Sequence, residues 1–130
     1  GGPMPRVLAA EDNEVNQLIL CEALGRLGFD VELAADGRQA MQAFEPGRYA
    51  LVLMDCQMPE MDGYEATSRL REEGYRGPIV ALTAHAMTGE REKCIAAGCD
   101  DYATKPIDRN TLLATIALHL EKGSGAAPLS

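Results

Sequence analysis

The chain has 130 residues, 46% of them hydrophobic, a composition that suits one folded domain with a single core. Its formal net charge of −8 argues against direct binding to nucleic acid or to an anionic membrane surface, because both need a basic footprint. No apolar run is long enough to span a bilayer, and no signal peptide opens the chain. We therefore expect a cytoplasmic domain without membrane contact, even if the parent protein is membrane-anchored.

The first half of the chain alternates short apolar runs with segments of helical periodicity. Asn13 and the acids before it are suited to capping the first helix, and Gly28 is suited to ending it. The third apolar run, residues 49–54, is apolar on both faces, as expected at the centre of a parallel sheet. The pattern predicts strands at 6–10, 29–34 and 49–54, with helices at 15–27 and 38–44.

The second half of the chain continues the same alternation. Asp62 and Asp108 are placed to cap helices, and Gly98 is placed to end one. The pattern predicts a helix from about 62 to 73, a strand at 79–82, a helix at 89–97, a strand at 101–104 and a last helix after 108. Five strand–helix pairs predict an α/β fold, a (βα)5 doubly wound parallel sheet with helices on both faces.

The ends of the chain differ from the rest in composition. Residues 1–5 (GGPMP) and 123–130 (GSGAAPLS) are small and poor in core-forming side chains, so we interpret them as linker or vector-derived segments around a domain at 6–122. The four cysteines form no C-x-x-C pair, and neither histidine completes a metal-ligand spacing with them. We expect all four to be reduced thiols.

Charged and hydroxyl side chains follow the predicted strands, at the points where the strands end. Glu11 and Asp12 come after the first strand, Asp55 after the third, Thr83 after the fourth and Lys105 after the fifth. Ligands of parallel sheets bind beyond the carboxyl ends of the strands, so we expect these five side chains to meet there.

Three carboxylates at one edge repel each other. Two unit charges ~4 Å apart cost about 4 kcal/mol at an effective dielectric constant of 20. A lysine offsets part of this charge, and a divalent cation would offset the rest. A few oxygen ligands with room for water suit Mg²⁺, or Mn²⁺ in its place. Magnesium favours phosphate chemistry, in which a carboxylate can itself accept the phosphoryl group.

Four segments, in this order, carry a resemblance to a known family: EDNEVNQ (11–17), MDCQMPEMDG (54–63), ALTAHAM (81–87) and KPI (105–107). Together they resemble the receiver domain of response regulators in two-component phosphorelays, and most closely the receivers of hybrid sensor histidine kinases. The resemblance covers residues from about 6 to 121. It implies a flavodoxin-like sheet with the strand order 2-1-3-4-5.

The resemblance implies a phosphoacceptor and a metal site. Asp55 matches the aspartate that accepts the phosphoryl group. Asp12 matches the direct Mg²⁺ ligand, and Glu11 matches a residue that acts mainly through water. Asp55 also matches a metal ligand, and Gln57 matches the position whose backbone carbonyl binds the metal.

The resemblance also implies residues that respond to the phosphoryl group. Lys105 matches the lysine that pairs with a phosphoryl oxygen, and the Lys105–Pro106 peptide bond is expected to be cis. Thr83 matches the hydroxyl that turns toward the phosphoryl group, and Tyr102 matches an aromatic switch, although it also suits a plain core position. The Gln57 side chain and His85 match positions that tune the lifetime of the phosphoryl group, although His85 also suits an ordinary surface histidine.

The partners implied are a histidine kinase or a histidine phosphotransfer domain, as phosphoryl donor or acceptor. We expect partner surfaces on the face formed by helix 4, strand 5 and helix 5 (roughly 89–120), which should shift between two states, and on the helix 1 side of the active site. The motifs favour the receiver of a hybrid histidine kinase, and a stand-alone response regulator is the alternative.

The residues argue against two further functions. A Mg²⁺-dependent phosphohydrolase of the D-x-D-x-[TV] class also uses an aspartyl phosphate, but Gln57 stands where its second acid would be. A binding-only receiver would be expected to lack Asp55, Asp12 or Lys105, and all three are present. The isolated domain is thus expected to catalyse its own phosphorylation and dephosphorylation and not to be a turnover enzyme.

Overall fold

The computed structural model of the protein describes residues 5–45, 47–56, 58, 61–84 and 89–125. Within these ranges, strands and helices alternate along the chain. The elements are β1 (Arg6–Ala10), α1 (Glu14–Arg26), β2 (Asp30–Ala34), α2 (Gly37–Ala43), β3 (Leu51–Asp55), α3 (Gly63–Glu72), β4 (Ile79–Thr83), α4 (Glu90–Ala97), β5 (Asp101–Thr104) and α5 (Arg109–Gly125).

The strands form one parallel sheet in the order β2-β1-β3-β4-β5. β1 pairs with β2 on one side and with β3 on the other, so the chain winds first in one direction and then in the opposite one. This arrangement confirms the predicted doubly wound fold and its strand order. The reversal between β1 and β3 creates the switch point where such sheets open a crevice at their carboxyl edge.

Alternate residues of the strands belong to two hydrophobic clusters, one on each face of the sheet. Val7 and Ala9 of β1 pack with α1 and α5, whereas Leu8 and Ala10 pack with α2, α3 and α4. The α1/α5 cluster is completed by Leu20, Leu24, Phe29, Leu51, Leu53, Val80, Leu82, Leu112 and Ile116. Burial on both faces explains why the central strands are apolar between their charged or polar end residues.

Capping side chains set where the helices begin. The Asn13 side chain accepts a hydrogen bond from the backbone of Asn16, so α1 begins at Glu14, one residue before the predicted start. Asp36 does the same for α2, which begins at Gly37 and ends one residue earlier than predicted. Asp62 caps α3, as predicted.

The last helix runs from Arg109 to Gly125, so the structure places three residues of the predicted C-terminal linker in this helix. Asp108 precedes it and accepts a hydrogen bond from the Thr111 hydroxyl at 2.6 Å, and its predicted capping of the backbone stays a prediction. The domain limits at 6 and 122 stay a prediction. No helix in the described ranges is both long enough and apolar enough to cross a membrane.

The strand ends differ from the prediction in a way that matters for the site. β3 begins at Leu51, because its pairing with β1 starts opposite Val7, and it extends through Asp55, which lies opposite Leu82 of β4. β4 likewise extends through Thr83. Both residues were predicted to follow their strands. In the structure, Asp55 is the last paired residue of β3 and Thr83 is the last paired residue of β4. Pairing with the neighbouring strand therefore restricts the backbone of both residues.

Gly63 lets α3 approach the end of β3 closely. A Cβ atom at this position would collide with the backbone carbonyl of Asp55 and lie 2.9 Å from the Cα atom of Cys56. The Gly63 N–H donates to the Cys56 carbonyl at 3.2 Å. The first turn of α3 is thus packed directly against the backbone of β3 at its carboxyl end.

Candidate functional site

Backbone hydrogen bonds hold the predicted site residues at the carboxyl edge of the sheet. The Glu11 N–H donates to the Ala34 carbonyl at the end of β2, at 2.9 Å. The Lys105 N–H donates to the Thr83 carbonyl at the end of β4, at 2.7 Å. Asp55 is itself part of β3. These side chains therefore start from positions that the sheet determines.

Lys105 lies between two buried carboxylates. Its Nζ atom is 2.9 Å from Asp55 Oδ2 and 3.0 Å from Glu11 Oε1. The exposed fraction is 0% for Glu11 and 1% for Asp55. Burial opposes the charge on Lys105, but hydrogen bonds and attraction from Asp55 and Glu11 outweigh it and raise the pKa of this lysine. Lys105 is therefore a fixed cation of the site at neutral pH.

Oxygen atoms of Glu11, Asp12 and Asp55 converge at this edge, all within 4.8 Å of one another. Glu11 Oε1 is buried and accepts no aligned hydrogen bond from any described residue, despite its ion-pair distance to Lys105. A buried acceptor without such a bond is costly, and three carboxylates outweigh one ammonium group. The donor set thus fits a hard divalent cation, and the exposed side of Asp12 leaves room for the waters that Mg²⁺ retains.

The first turns of α1 orient Glu11. The Asn13 backbone N–H donates to Glu11 Oε2 at 3.0 Å, while the Gln17 side-chain amide donates to the Glu11 carbonyl at 2.6 Å. Asn13 also caps α1, so one residue both starts the helix and holds the carboxylate. These contacts give a structural reason for the polar residues in the segment 11–17.

Thr83 makes a contact that the sequence did not predict. Its buried hydroxyl donates to Glu90 Oε1 in the first turn of α4, at 3.0 Å. The Tyr64 hydroxyl of α3 donates to the same oxygen at 2.5 Å. Burial and the bond to Glu90 raise the pKa of Tyr64 well above its ordinary value. In the sequence Glu90 is an ordinary first-turn acid, and no local pattern connects it with Tyr64, 26 residues earlier.

The remaining predicted site residues fall into two groups. Tyr102 is partly buried and packs against the cluster on the α2, α3 and α4 face, and its role as a switch stays a prediction. The Lys105–Pro106 peptide bond is cis, the isomer that the resemblance implies. Gln57 and His85 lie outside the described residues, so their proposed roles stay predictions as well.

The four cysteines are free thiols in the structure. Cys21 is partly exposed, while the other three are buried in the cluster on the α2, α3 and α4 face. Burial raises the pKa of Cys56, the neighbour of Asp55, to about 12, and that of Cys99 to about 12 as well. Cys56 is therefore a protonated packing residue at neutral pH, in spite of its place beside the site.

Two relatives among curated proteins match most of the chain. Hybrid signal transduction histidine kinase I of Dictyostelium discoideum is 44% identical over 120 residues, which cover 85% of this chain and 7% of that protein. Probable histidine kinase 2 of Oryza sativa subsp. indica is 44% identical over 128 residues, which cover 85% of this chain and 12% of that protein. The chain thus spans a small part of each relative.

A solved structure agrees with the site as well as with the fold. It is the receiver domain of the sensor histidine kinase PA1611 from Pseudomonas aeruginosa PAO1, crystallised with a magnesium ion in its active site cleft. The two chains are 42% identical, the match covers 95% of this chain and 99% of that one, and the TM-score is 0.81. The family model for the response regulator receiver domain matches residues 7–117. This chain therefore belongs to the response regulator receiver domain family.

Proposed function

We propose that Asp55 accepts a phosphoryl group, in a Mg²⁺-dependent reaction, from a phosphohistidine on a histidine kinase or a histidine phosphotransfer domain. In this transfer a bond forms between an Asp55 carboxylate oxygen and phosphorus, and the phosphorus–nitrogen bond of the donor histidine breaks, with the electron pair returning to the imidazole. The observation that carries the proposal is the contact of Asp55 with Lys105 beside Glu11 and Asp12, at the switch point of the sheet.

Each residue at the edge then has a defined task. Glu11, Asp12 and Asp55, with the backbone carbonyl of Gln57, would hold Mg²⁺, and the same oxygen ligands would accept Mn²⁺. When bound, the metal supplies positive charge to the phosphoryl oxygens. Lys105 already contacts Asp55, so it needs little movement to pair with an oxygen of the transferred group.

The response of the domain involves the proposed switch residues. Thr83 would turn toward the phosphoryl group, and Tyr102 would move inward with it. The face formed by α4, β5 and α5 would then shift population between two states. Its exposed apolar side chains include Ile95 and Leu118, which suit contact with a partner domain. His85 and the Gln57 side chain would adjust the lifetime of the phosphoryl group.

We propose further that the chain is the receiver of a hybrid sensor histidine kinase located in the cytoplasm, with a domain at 6–122. The α1 side of the site suits docking of the phosphohistidine donor. Val15 is 64% exposed and Leu18 71% exposed, and both lie in the helix that follows Glu11 and Asp12 directly. Apolar side chains exposed next to a charged site are typical of a surface that a partner covers.

Intact mass measurement tests the phosphoacceptor. The folded protein is incubated with acetyl phosphate, with Mg²⁺ or with a chelator, beside the variants Asp55→Asn and Asp36→Asn. We expect one phosphoryl adduct in the native protein and in Asp36→Asn, where asparagine still caps α2, and none in Asp55→Asn or with chelator. Folded protein that forms no adduct under any condition would contradict the proposal and favour a binding-only receiver.

Phosphotransfer kinetics test the docking surface. The variant Leu18→Glu should slow transfer from a phosphorylated histidine phosphotransfer domain by roughly tenfold, the loss of about 1.4 kcal/mol of contact, and leave acetyl phosphate reactivity unchanged. Leu27→Glu is the matched control, since Leu27 is 48% exposed at the opposite end of α1. Equal slowing in both variants would place the donor elsewhere.

A further inference from the structure

A single carboxylate oxygen in α4 receives hydroxyl groups from two other elements. Glu90 Oε1 accepts from Thr83 at the end of β4, at 3.0 Å, and from Tyr64 in the first turn of α3, at 2.5 Å. Glu90 is the first residue of α4. Its carboxylate therefore ties three elements together next to the carboxyl edge of the sheet.

The Thr83 hydroxyl donates its proton to Glu90 in this contact, so the proton is not available to a second acceptor. A hydroxyl group has one proton to donate, and a hydrogen bond to a charged carboxylate is stronger than one between neutral groups. Thr83 is 0% exposed, so water is not available to take the place of Glu90. An oxygen of a phosphoryl group on Asp55 would have to compete with Glu90 for the same proton.

We propose that Glu90 is a positioning residue that holds the Thr83 hydroxyl in the resting domain, and that Tyr64 keeps the Glu90 carboxylate in place. The inference rests on the proposed phosphorylation of Asp55. The phosphoryl group must draw the hydroxyl away from Glu90, so this contact weakens its binding and favours the resting state. Departure of the hydroxyl removes one of the hydrogen bonds that Glu90 accepts from described residues at the first turn of α4.

Tyr64 is suited to the supporting role. Its raised pKa keeps the phenol protonated across the neutral and mildly alkaline range, so it continues to donate to Glu90. Its ring packs against the core cluster on the α3 and α4 face, which fixes the hydroxyl in position. The carboxylate thus keeps one fixed donor while the other is free to change partner.

Titration with beryllofluoride in the presence of Mg²⁺ measures the competition, because this anion mimics a phosphoryl group on a carboxylate. Glu90→Ala should bind it roughly 10- to 150-fold more tightly than the native protein, the range expected for a lost hydrogen bond to a charged group. Tyr64→Phe should shift affinity in the same direction by a smaller factor. Glu92→Ala, which removes an exposed acid from the same turn, should change nothing.

A double-mutant cycle with Thr83→Val distinguishes competition for the Thr83 hydroxyl from other effects of Glu90 on binding of the anion. With no hydroxyl at position 83, Glu90→Ala should no longer change the affinity for beryllofluoride. A gain that persists in the Thr83→Val background would mean that Glu90 acts only by repelling the anion. A loss of stability without tighter binding, in both Glu90→Ala and the conservative Tyr64→Phe, would mean a purely structural role. Either result overturns the inference.

Adduct formation in the native protein distinguishes failure of the proposed function from failure of this inference. If it forms no Mg²⁺-dependent adduct on Asp55, the proposed function itself fails. If the adduct forms and the Glu90 and Tyr64 variants bind beryllofluoride like the native protein, only the competition fails. Amide exchange gives a second readout: beryllofluoride should speed exchange in the first turn of α4 in the native protein, and Glu90→Ala should show that faster exchange already without it.

Discussion

Arg71 and Lys105 are cations at opposite edges of the same sheet. Their side chains are similarly exposed, at 26% and 20% respectively, but Arg71 is surrounded mostly by neutral carbonyl acceptors and Lys105 by carboxylates. Arg71 uses all five of its N–H donors on neighbouring chain segments near the amino ends of β4 and β5. Its partners are the carbonyls of Tyr75 and Gly77, the carbonyl of Gly98 twice, and the Asp100 carboxylate.

The difference between the two sites shows how the domain separates stability from chemistry. Around Arg71 most acceptors are neutral carbonyls, and the one carboxylate, Asp100, also receives the Ile79 N–H at 2.9 Å. Around Lys105 the acceptors are charged, and Glu11 Oε1 has no aligned hydrogen bond within the described part of the chain. The edge around Arg71 is the closed edge, because its cation and its acceptors satisfy one another. The edge around Lys105 is the open edge, because it keeps an excess of negative charge that suits an incoming metal.

The largest expected effect follows from removing the cation of the closed edge. Arg71→Met should lower the free energy of unfolding by about 3 kcal/mol, because three carbonyls and a carboxylate lose their donors together. Chemical denaturation measures it, with Arg69→Met as control, since Arg69 makes an exposed ion pair with Glu65. An Arg71 variant as stable as the control would show that water replaces the guanidinium without penalty.

Removing the cation of the open edge should have a smaller effect that depends on metal. Lys105→Met should lower the free energy of unfolding by about 2 kcal/mol in chelator, because Asp55 and Glu11 then face each other without the ammonium group. Mg²⁺ should restore part of this loss and stabilise the variant more than the native protein. Lys93→Met, an exposed position on α4, is the matched control in the same denaturation series. A loss that Mg²⁺ leaves unchanged would argue against a shared charge balance.

Removing one carboxylate from the open edge should act in the opposite direction. Asp55→Asn should raise the free energy of unfolding by about 1 kcal/mol in chelator, because one of three repelling charges is lost. In the native protein, Mg²⁺ at ten times its dissociation constant should add about 1.4 kcal/mol, and this increment should disappear in the variant. Thermal unfolding with and without Mg²⁺ measures both, and a destabilised variant in chelator would contradict the charge argument.

The smallest expected effects concern the reactivity of the four thiols and the pH dependence of stability that the buried thiols cause. Alkylation followed by mass measurement at pH 8 should modify Cys21 first, because the other three thiols are buried. The raised pKa of Cys56 and Cys99 also makes folding less favourable at high pH. Their contribution to stability is complete below the unfolded thiol pKa near 8.5 and falls as the pH rises toward 12. Early modification of Cys56 would show that the open edge also opens to solvent.

The carboxyl-edge residues could be predicted because strand ends are local signals. Glu11 and Asp55 each follow directly on an apolar run, Lys105 follows the short strand predicted at 101–104, and a parallel sheet brings such positions together. The strand order also agreed with the resemblance. The starts of α1 and α2 were displaced by one residue. Before α1 three polar residues, Glu11, Asp12 and Asn13, are equally suited to cap. Before α2 the glycine after Asp36 suits a break in the chain, whereas in the structure it is the first residue of the helix.

The contacts of Glu90 and Arg71 could not be predicted in the same way. Thr83 and Glu90 are 7 residues apart, and Arg71 and Asp100 are 29 apart. Each pair meets only after α3 and α4 have packed on the sheet, so no periodicity or local spacing reports it. Both residues look like ordinary charged positions of a helix surface in the sequence.

The close packing of Gly63 against β3 makes the mechanical response at Asp55 directional. Backbone atoms of α3 and β3 are already at contact distance there, so displacement toward α3 meets a steep repulsion. The start of α4 is held differently: Gly89 has a φ of 99°, and its helix has no side-chain cap among the described residues. Asp55 therefore has backbone at contact distance on its α3 side, so a displacement of this residue toward α3 is resisted more than one in any direction without such a contact.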